Sequence, residues 1–393
     1  MEGETFSKIE LESKKALQYA SAFKQKRYLY DKISTLKDNF YVGIFGLRGV
    51  GKTVLMLQLA LNRENPLYIS ADAKYLKRYS LYDIVNYAFS HGYKNIFLDE
   101  IGSATDWTYD LKTLYDEHNV NVVFSSSSSI SVRKGADLSR RALLYELKPA
   151  SFREYLNIKK GASIPAINLE DLYNEVSRKE LTMRYSNYIN FVYEYLKYGG
   201  VLYDGIADGY PESIINIVDK IVSTDLSYLR EIDAKIENDA YKLLYEISSS
   251  GPYEVSYNGL AAKIGAGTGT VIKLVSDLEK VGLIKLVYPV KGKFKKEPKI
   301  FFRIPFRIAL NDTINVKSDP GIMREEFFVN NVDVQYYFKT ERGMKTPDFY
   351  VNGKAIEVGG TAKTTVQHAD FIASDWLDFH GNRIPLFLFG VLY

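Results

Sequence analysis

No cysteine occurs among the 393 residues. Disulfides, thiolate zinc sites and cysteine nucleophiles are therefore excluded, and the composition suits a reducing compartment. Histidine is almost as scarce: the four copies, His91, His118, His368 and His380, show no metal-ligand spacing. No apolar run approaches the roughly 20 residues a membrane helix needs, and Met1-Glu2-Gly3-Glu4 is acidic, unlike the start of a signal peptide. A cytoplasmic protein is the expectation. Neither sign of charge dominates: 51 Lys and Arg against 48 Asp and Glu leave a formal net charge of +3, so bulk charge announces no nucleic-acid partner. With 46% hydrophobic and 25% charged residues the composition is that of a globular chain. Its length allows two or three domains with cores of their own.

What is present is organised by hydrophobic period. Residues 8–38 carry apolar positions at helical spacing. Phe40–Phe45 is a short apolar run ending at Gly46, the pattern of a buried strand, and Val54–Leu61 follows as a helix. Pro66–Ser70, Asn95–Asp99, Val120–Ser125 and Leu143–Leu147 read as further strands, with Leu81–Ser90 and Trp107–His118 as helices between them. Strands alternating with helices predict an α/β fold, a parallel sheet covered on both faces. Beyond Pro149 the alternation stops. Residues 151–235 predict helices, 236–310 three helices and a strand pair, and 311–393 a mixed segment with strands near 332–338, 347–351, 354–358 and 385–392. The expected domains are thus 1–150, 151–235, 236–310 and 311–393.

The first strand runs into Gly46-Leu47-Arg48-Gly49-Val50-Gly51-Lys52-Thr53, which fits the phosphate-loop pattern G-x-x-x-x-G-K-S/T. Glycines let the backbone turn tightly, so that successive N–H groups face phosphate oxygens. The helix opening at Val54 adds the positive end of its dipole. Lys52 reaches the β- and γ-phosphates of ATP, and the Thr53 hydroxyl ligates magnesium.

Three later signals complete the site. The strand Asn95–Asp99 ends in Asp99-Glu100: Asp99 is expected to hold the magnesium and Glu100 to polarise the attacking water. The run Ser125–Ser129 follows a buried strand, and one of its hydroxyls, with Ser127 near the centre of the run, is expected either to sense the γ-phosphate or to orient the water. Transition-state charge calls for an arginine. Arg140 and Arg141 are the candidates for it, with Arg153 a third, in cis or toward a neighbouring subunit.

This order resembles that of the AAA+-type ATPases common in archaea and bacteria. The resemblance rests on the phosphate loop, Leu98-Asp99-Glu100-Ile101, Trp107, the serine run, Leu138-Ser139-Arg140-Arg141 and Pro149-Ala150-Ser151-Phe152-Arg153-Glu154. It covers residues 40–155. It implies a five-stranded P-loop core with an extra strand between the phosphate-loop strand and the Asp99 strand, followed by a helical lid. Tyr198-Gly199-Gly200 resembles a later glycine pair of that family, but Val201-Leu202-Tyr203 departs from its continuation and carries no role.

The order of elements in 236–310 is that of a winged helix-turn-helix. Lys291, Lys293, Lys295 and Lys296 cluster on the loop of its strand pair, which suits contact with the phosphates of double-stranded DNA. The third helix would enter the major groove, with Thr270, Lys273 and Asp277 facing outward. The same ATPases often carry a small restriction-endonuclease-like domain next. Here the resemblance implies a second metal site at Asp348 and Glu357, with Glu325 or Glu326 as a third acid. The lysine of that pattern is absent: Gly359 stands in its place, and Lys363 is the nearest substitute. An inactive remnant is the expectation. The reading as a whole is an ATPase using ATP and magnesium as a nucleotide-dependent switch on DNA. An ATP-gated nuclease and a non-catalytic ATP-responsive DNA-binding regulator are the alternatives, and oligomeric state stays open.

Overall fold

The computed structural model describes residues 1–393 except 37–39, 128–137, 139, 203–211, 252–255, 291–296, 339–345, 361–367, 376 and 378. The chain divides into two compact units, Met1–Lys148 and Pro149–Tyr393.

The first unit is built on a parallel sheet of β1 (Tyr41–Phe45), β2 (Pro66–Ser70), β3 (Asn95–Asp99), β4 (Asn121–Ser126) and β5 (Ala142–Glu146), in the order β2-β3-β4-β1-β5. β4 therefore lies between the phosphate-loop strand and the Asp99 strand, as the resemblance implied. All five residues of β1 are buried. At Gly43 an added Cβ would come within 2.6 Å of the Leu144 and Phe124 side chains, which cross β1 from its two neighbours. The helices are α1 (Gly3–Ala20), α2 (Leu29–Ser34), α3 (Lys52–Ala60), α4 (Leu81–Ser90) and α5 (Trp107–Glu117). Phe45, Ile69, Leu98, Phe124, Trp107 and Leu111 share the core between them. α1 also guards an edge: the Ser13 hydroxyl accepts the Tyr68 N–H of β2 at 2.9 Å, a donor that an edge strand would otherwise expose. α3 starts at Lys52 rather than Val54, because Gly51 turns the chain in the left-handed region at φ +91°. Lys52 and Thr53 thereby enter its first turn.

The second unit pairs β6 (Ile284–Val287) with β7 (Lys299–Phe302) and carries a separate sheet of β8 (Tyr336–Tyr337), β9 (Phe349–Val351), β10 (Lys354–Gly359), β11 (Phe371–Ser374) and β12 (Arg383–Pro385), ordered β12-β11-β10-β9-β8. Helices at Ala234–Ser249, Tyr257–Ile264 and Thr268–Lys280 precede β6. One apolar core joins the helices of 152–196 to this sheet, with Phe152, Tyr195, Phe327, Phe349 and Phe389 among its members. The segment expected as a closing strand over 385–392 is instead the short strand β12 followed by a buried 3-10 helix, Leu386–Val391. A continuous apolar run carries no period to separate strand from helix. Here packing decides: Phe389 meets Phe328 edge-on at 4.9 Å.

A buried ion pair locks this unit. Arg307 Nε lies 2.7 Å from Glu326 Oε1, and its Nη1 donates to the carbonyls of Ile247 and Ser248 at the end of the helix Ala234–Ser249. Glu326 also accepts the Phe302 N–H at 2.8 Å. Arg307→Met leaves that carboxylate without its cation, and about 3–5 kcal/mol of stability is expected to be lost. Thermal and urea unfolding check this. The double variant Arg307→Met/Glu326→Gln should recover part of the loss, and an unchanged transition in the single variant would refute the account.

Candidate functional site

In a parallel sheet the carboxyl ends of the strands share one edge, and here β1, β3 and β4 end side by side. The phosphate loop leaves β1 at Gly46, whose φ of +153° only glycine adopts readily. A Cβ there would stand 2.3 Å from the Leu147 carbonyl oxygen. Lys52 Nζ donates to the carbonyls of Gly46 at 2.9 Å and Leu47 at 3.1 Å. The ammonium is thus held inside the loop, and the residue is only 5% exposed. Gly49, Val50 and Gly51 complete the turn, and Val54 lies in the first turn of α3.

Asp99, at the end of β3, is the hub. Its Oδ2 accepts from the Thr53 hydroxyl at 2.7 Å and from the Tyr68 hydroxyl at 2.9 Å, while Oδ1 accepts from Ser125. Burial, reinforced by the Asp99 carboxylate, pushes the Tyr68 phenol well above its ordinary pKa, so Tyr68 stays protonated and donates. Glu100 follows in left-handed backbone at φ +51°, a conformation non-glycine residues adopt at a cost. This turns its carboxylate toward β4: the Ser127 hydroxyl lies 2.5 Å from Oε1 and 2.7 Å from Oε2. The Ser125 hydroxyl also accepts the Glu100 N–H at 3.2 Å. The serine run is therefore tied to both acids, Ser125 to Asp99 and Ser127 to Glu100.

This donor set fits magnesium. The ion prefers one or two hard oxygen ligands with water and phosphate completing its octahedron, and Thr53 and Asp99 supply such a pair. Among the described residues no group of three or more His, Asp or Glu side chains could form an all-protein metal cage.

Arg140 and Arg141 are not brought to the loop of their own unit. Arg141 precedes β5, and its carbonyl accepts the Tyr41 N–H at the amino end of β1. That is five residues from Gly46, about 16 Å along a strand. Its guanidinium grips Asp116 at 2.9 and 2.8 Å and holds that carboxyl below the usual range. Arg140 lies next to it and is exposed. The reason is directional: parallel strands put whatever precedes β5 at the edge opposite the phosphate loop. Arg153 belongs to the second unit, where it donates to the Ile164 carbonyl at 3.2 Å. There Ser151 and Glu154 form a capping box for the helix Phe152–Lys159.

Elsewhere, Lys273 is exposed on the helix Thr268–Lys280. Asp277, expected to face outward with it, is buried and paired with Arg230 at 2.6 Å and Lys280 at 3.3 Å. Lys291, Lys293, Lys295, Lys296 and Lys363 lie outside the described residues. Asp348, just before β9, accepts the N–H of Val358, the residue after Glu357 on β10, at 2.8 Å. Glu325 is engaged by Lys299 at 3.2 Å and Glu326 by Arg307, so both candidate third acids serve structural pairs.

Tyr68 and Arg27 are the site residues that sequence reasoning did not single out. Tyr68 sits in an alternating strand like any other tyrosine, and Arg27 in a stretch read as helical. Neither carries a motif. Arg27 is 5% exposed and donates to the carbonyls of Val50 in the loop and, at 2.7 Å, of Lys148.

Residues 38–156 match the family described as an AAA domain. In Methanocaldococcus jannaschii, the uncharacterized protein MJ1637 is 30% identical over 331 residues, spanning 75% of this chain and 69% of that protein. Among solved structures, the Orc1 protein of Aeropyrum pernix in complex with DNA has 14% identity and a TM-score of 0.29, over 76% of this chain and 92% of that one. No helix among the described residues is long and apolar enough to cross a membrane. The chain belongs to the same family as the M. jannaschii protein, with an AAA-type P-loop nucleotide-binding domain over residues 38–156.

Proposed function

We propose that this protein binds ATP with magnesium, hydrolyses it, and uses the cycle as a switch. The observation that carries the reading is the hydrogen bond of 2.7 Å between Thr53 and Asp99, set beside Glu100 at the end of the strand next to β4. The loop Gly46–Thr53 cradles the phosphates through its N–H groups, and Lys52 exchanges its loop carbonyls for phosphate oxygens. Thr53 and Asp99 would hold magnesium, which when bound would neutralise phosphate charge. Glu100 orients and deprotonates the attacking water once an oxygen is released from Ser127. Calorimetric titration with ATP, with and without magnesium, tests the core of this. Binding that is absent, or indifferent to magnesium, overturns it.

The output we assign to the second unit. Three helices followed by the β6–β7 pair support a winged helix-turn-helix. Exposed Lys273, with Lys291, Lys293, Lys295 and Lys296 in the connection between the two strands, supports contact with the backbone of duplex DNA. Titrating duplex DNA at about 50 and 200 mM salt is the check: affinity should fall steeply as salt rises, and binding that is absent or insensitive to salt removes DNA from the reading. Nuclease action at Asp348 and Glu357 is less well supported, since Gly359 offers no lysine and Glu325 and Glu326 are committed elsewhere.

A further inference from the structure

We infer that Arg27 is a positioning residue for the phosphate loop, setting the direction of one N–H group of the cradle. The inference rests on the nucleotide reading above. The carbonyl of Val50 and the N–H of Gly51 belong to one planar trans peptide and point in opposite directions. Arg27 Nη1 donates to that carbonyl. The Gly51 N–H is thereby turned away from the guanidinium, to the side that the nucleotide reading assigns to phosphate oxygens. The second arm of the fork, Nη2, donates to the Lys148 carbonyl at 2.7 Å, just past the exit of β5.

The same stretch anchors the start of the loop. Leu147 N donates to Phe45 O at 2.8 Å, and the Leu147 carbonyl closes against Gly46. Both ends of the loop are therefore referred to residues 147–148, the front by Gly46 and the back through Arg27. The connector that carries Arg27 is itself tied down. Gln58 of α3 donates to the carbonyls of Phe23 and Gln25, each at 2.9 Å. The Tyr28 hydroxyl donates to the Glu146 carbonyl at 2.8 Å and accepts the Lys148 N–H at 3.3 Å. A planar guanidinium can hold two carbonyls at a fixed angle, whereas a lysine ammonium is a point donor on a flexible stem.

The test uses the full chain with Arg27→Met and Arg27→Lys. Hydrogen exchange is followed in the nucleotide-free proteins for the peptide covering 46–53 and, as reference, for that covering 95–99. Binding of a fluorescent ADP with magnesium is measured beside it. In Arg27→Met the loop should exchange about tenfold faster with the β3 peptide unchanged, and ADP affinity should fall about tenfold or more. Arg27→Lys should fall between this variant and the wild type in both readouts. Equal acceleration of the loop and β3 would make Arg27 a general fold support and overturn the inference, as would a loop whose exchange does not change. A wild-type protein that fails to bind ADP sinks the nucleotide reading instead, and the exchange comparison, made without nucleotide, still decides on Arg27.

Discussion

Lys52→Ala is expected to abolish nucleotide binding while leaving the Met1–Lys148 unit folded. Two features separate these effects. Lys52 Nζ is turned back on the carbonyls of its own loop, Gly46 and Leu47, and the loop's path is held by backbone contacts and glycines rather than by this side chain. Gly46 closes against Leu147, and Gly51 supplies the turn into α3. Truncation therefore removes a charge from the site more than a prop from the fold. A charge-assisted hydrogen bond contributes about 1.5–3 kcal/mol, and Lys52 would make more than one to the β- and γ-oxygens. The loss should exceed about a hundredfold in the dissociation constant for ATP. Calorimetry reports it, with the thermal transition as the folding control. Binding that survives within a few-fold would mean that backbone N–H groups alone hold the phosphates.

Glu100→Gln should do the reverse, with ATP bound at near wild-type affinity and turnover reduced by about a hundredfold to ten-thousandfold. The substitution keeps shape and an acceptor oxygen for Ser127, whose hydroxyl now lies within 2.7 Å of both carboxylate oxygens. It also keeps the left-handed backbone at residue 100, which Gln tolerates about as well as Glu. What disappears is the basic oxygen that takes a proton from water. Steady-state phosphate release gives the readout, and kcat should fall with KM little altered. Turnover equal to wild type would show that Glu100 is not the base.

Much of the nucleotide site was legible in the chain because its parts are local. The loop, its preceding strand and the opening of α3 are contiguous, so Gly46, Lys52 and Thr53 carry their chemistry in a span where spacing alone sets geometry. Asp99 and Glu100 were legible for a related reason, an apolar strand of buried β type ending in acids. The strand pair expected within 236–310 could be marked out by the turn and period of its own segment, and β6 and β7 lie there. The serine run was visible as composition, but the assignment of Ser125 to Asp99 and Ser127 to Glu100 needed the β3–β4 neighbourhood.

The sequence by itself determined the phosphate loop, the acid pair after β3 and the alternation that makes a parallel sheet. These are written in short-range spacing and hydrophobic period, and local sterics translate both directly. Only the tertiary structure decided which distant residues attend them. Strand order brought Tyr68 from β2 to Asp99, and the bonds of Gln58 on α3 to the Phe23 and Gln25 carbonyls and of Tyr28 to the Glu146 carbonyl of β5 seated Arg27 at Val50. Strand direction carried Arg140 and Arg141 to the opposite edge, and packing against Phe328 turned the last apolar run into a 3-10 helix rather than a strand. Each of these depends on a pairing between segments far apart in the chain, and no local period records which partner a strand, a guanidinium or an apolar run will meet.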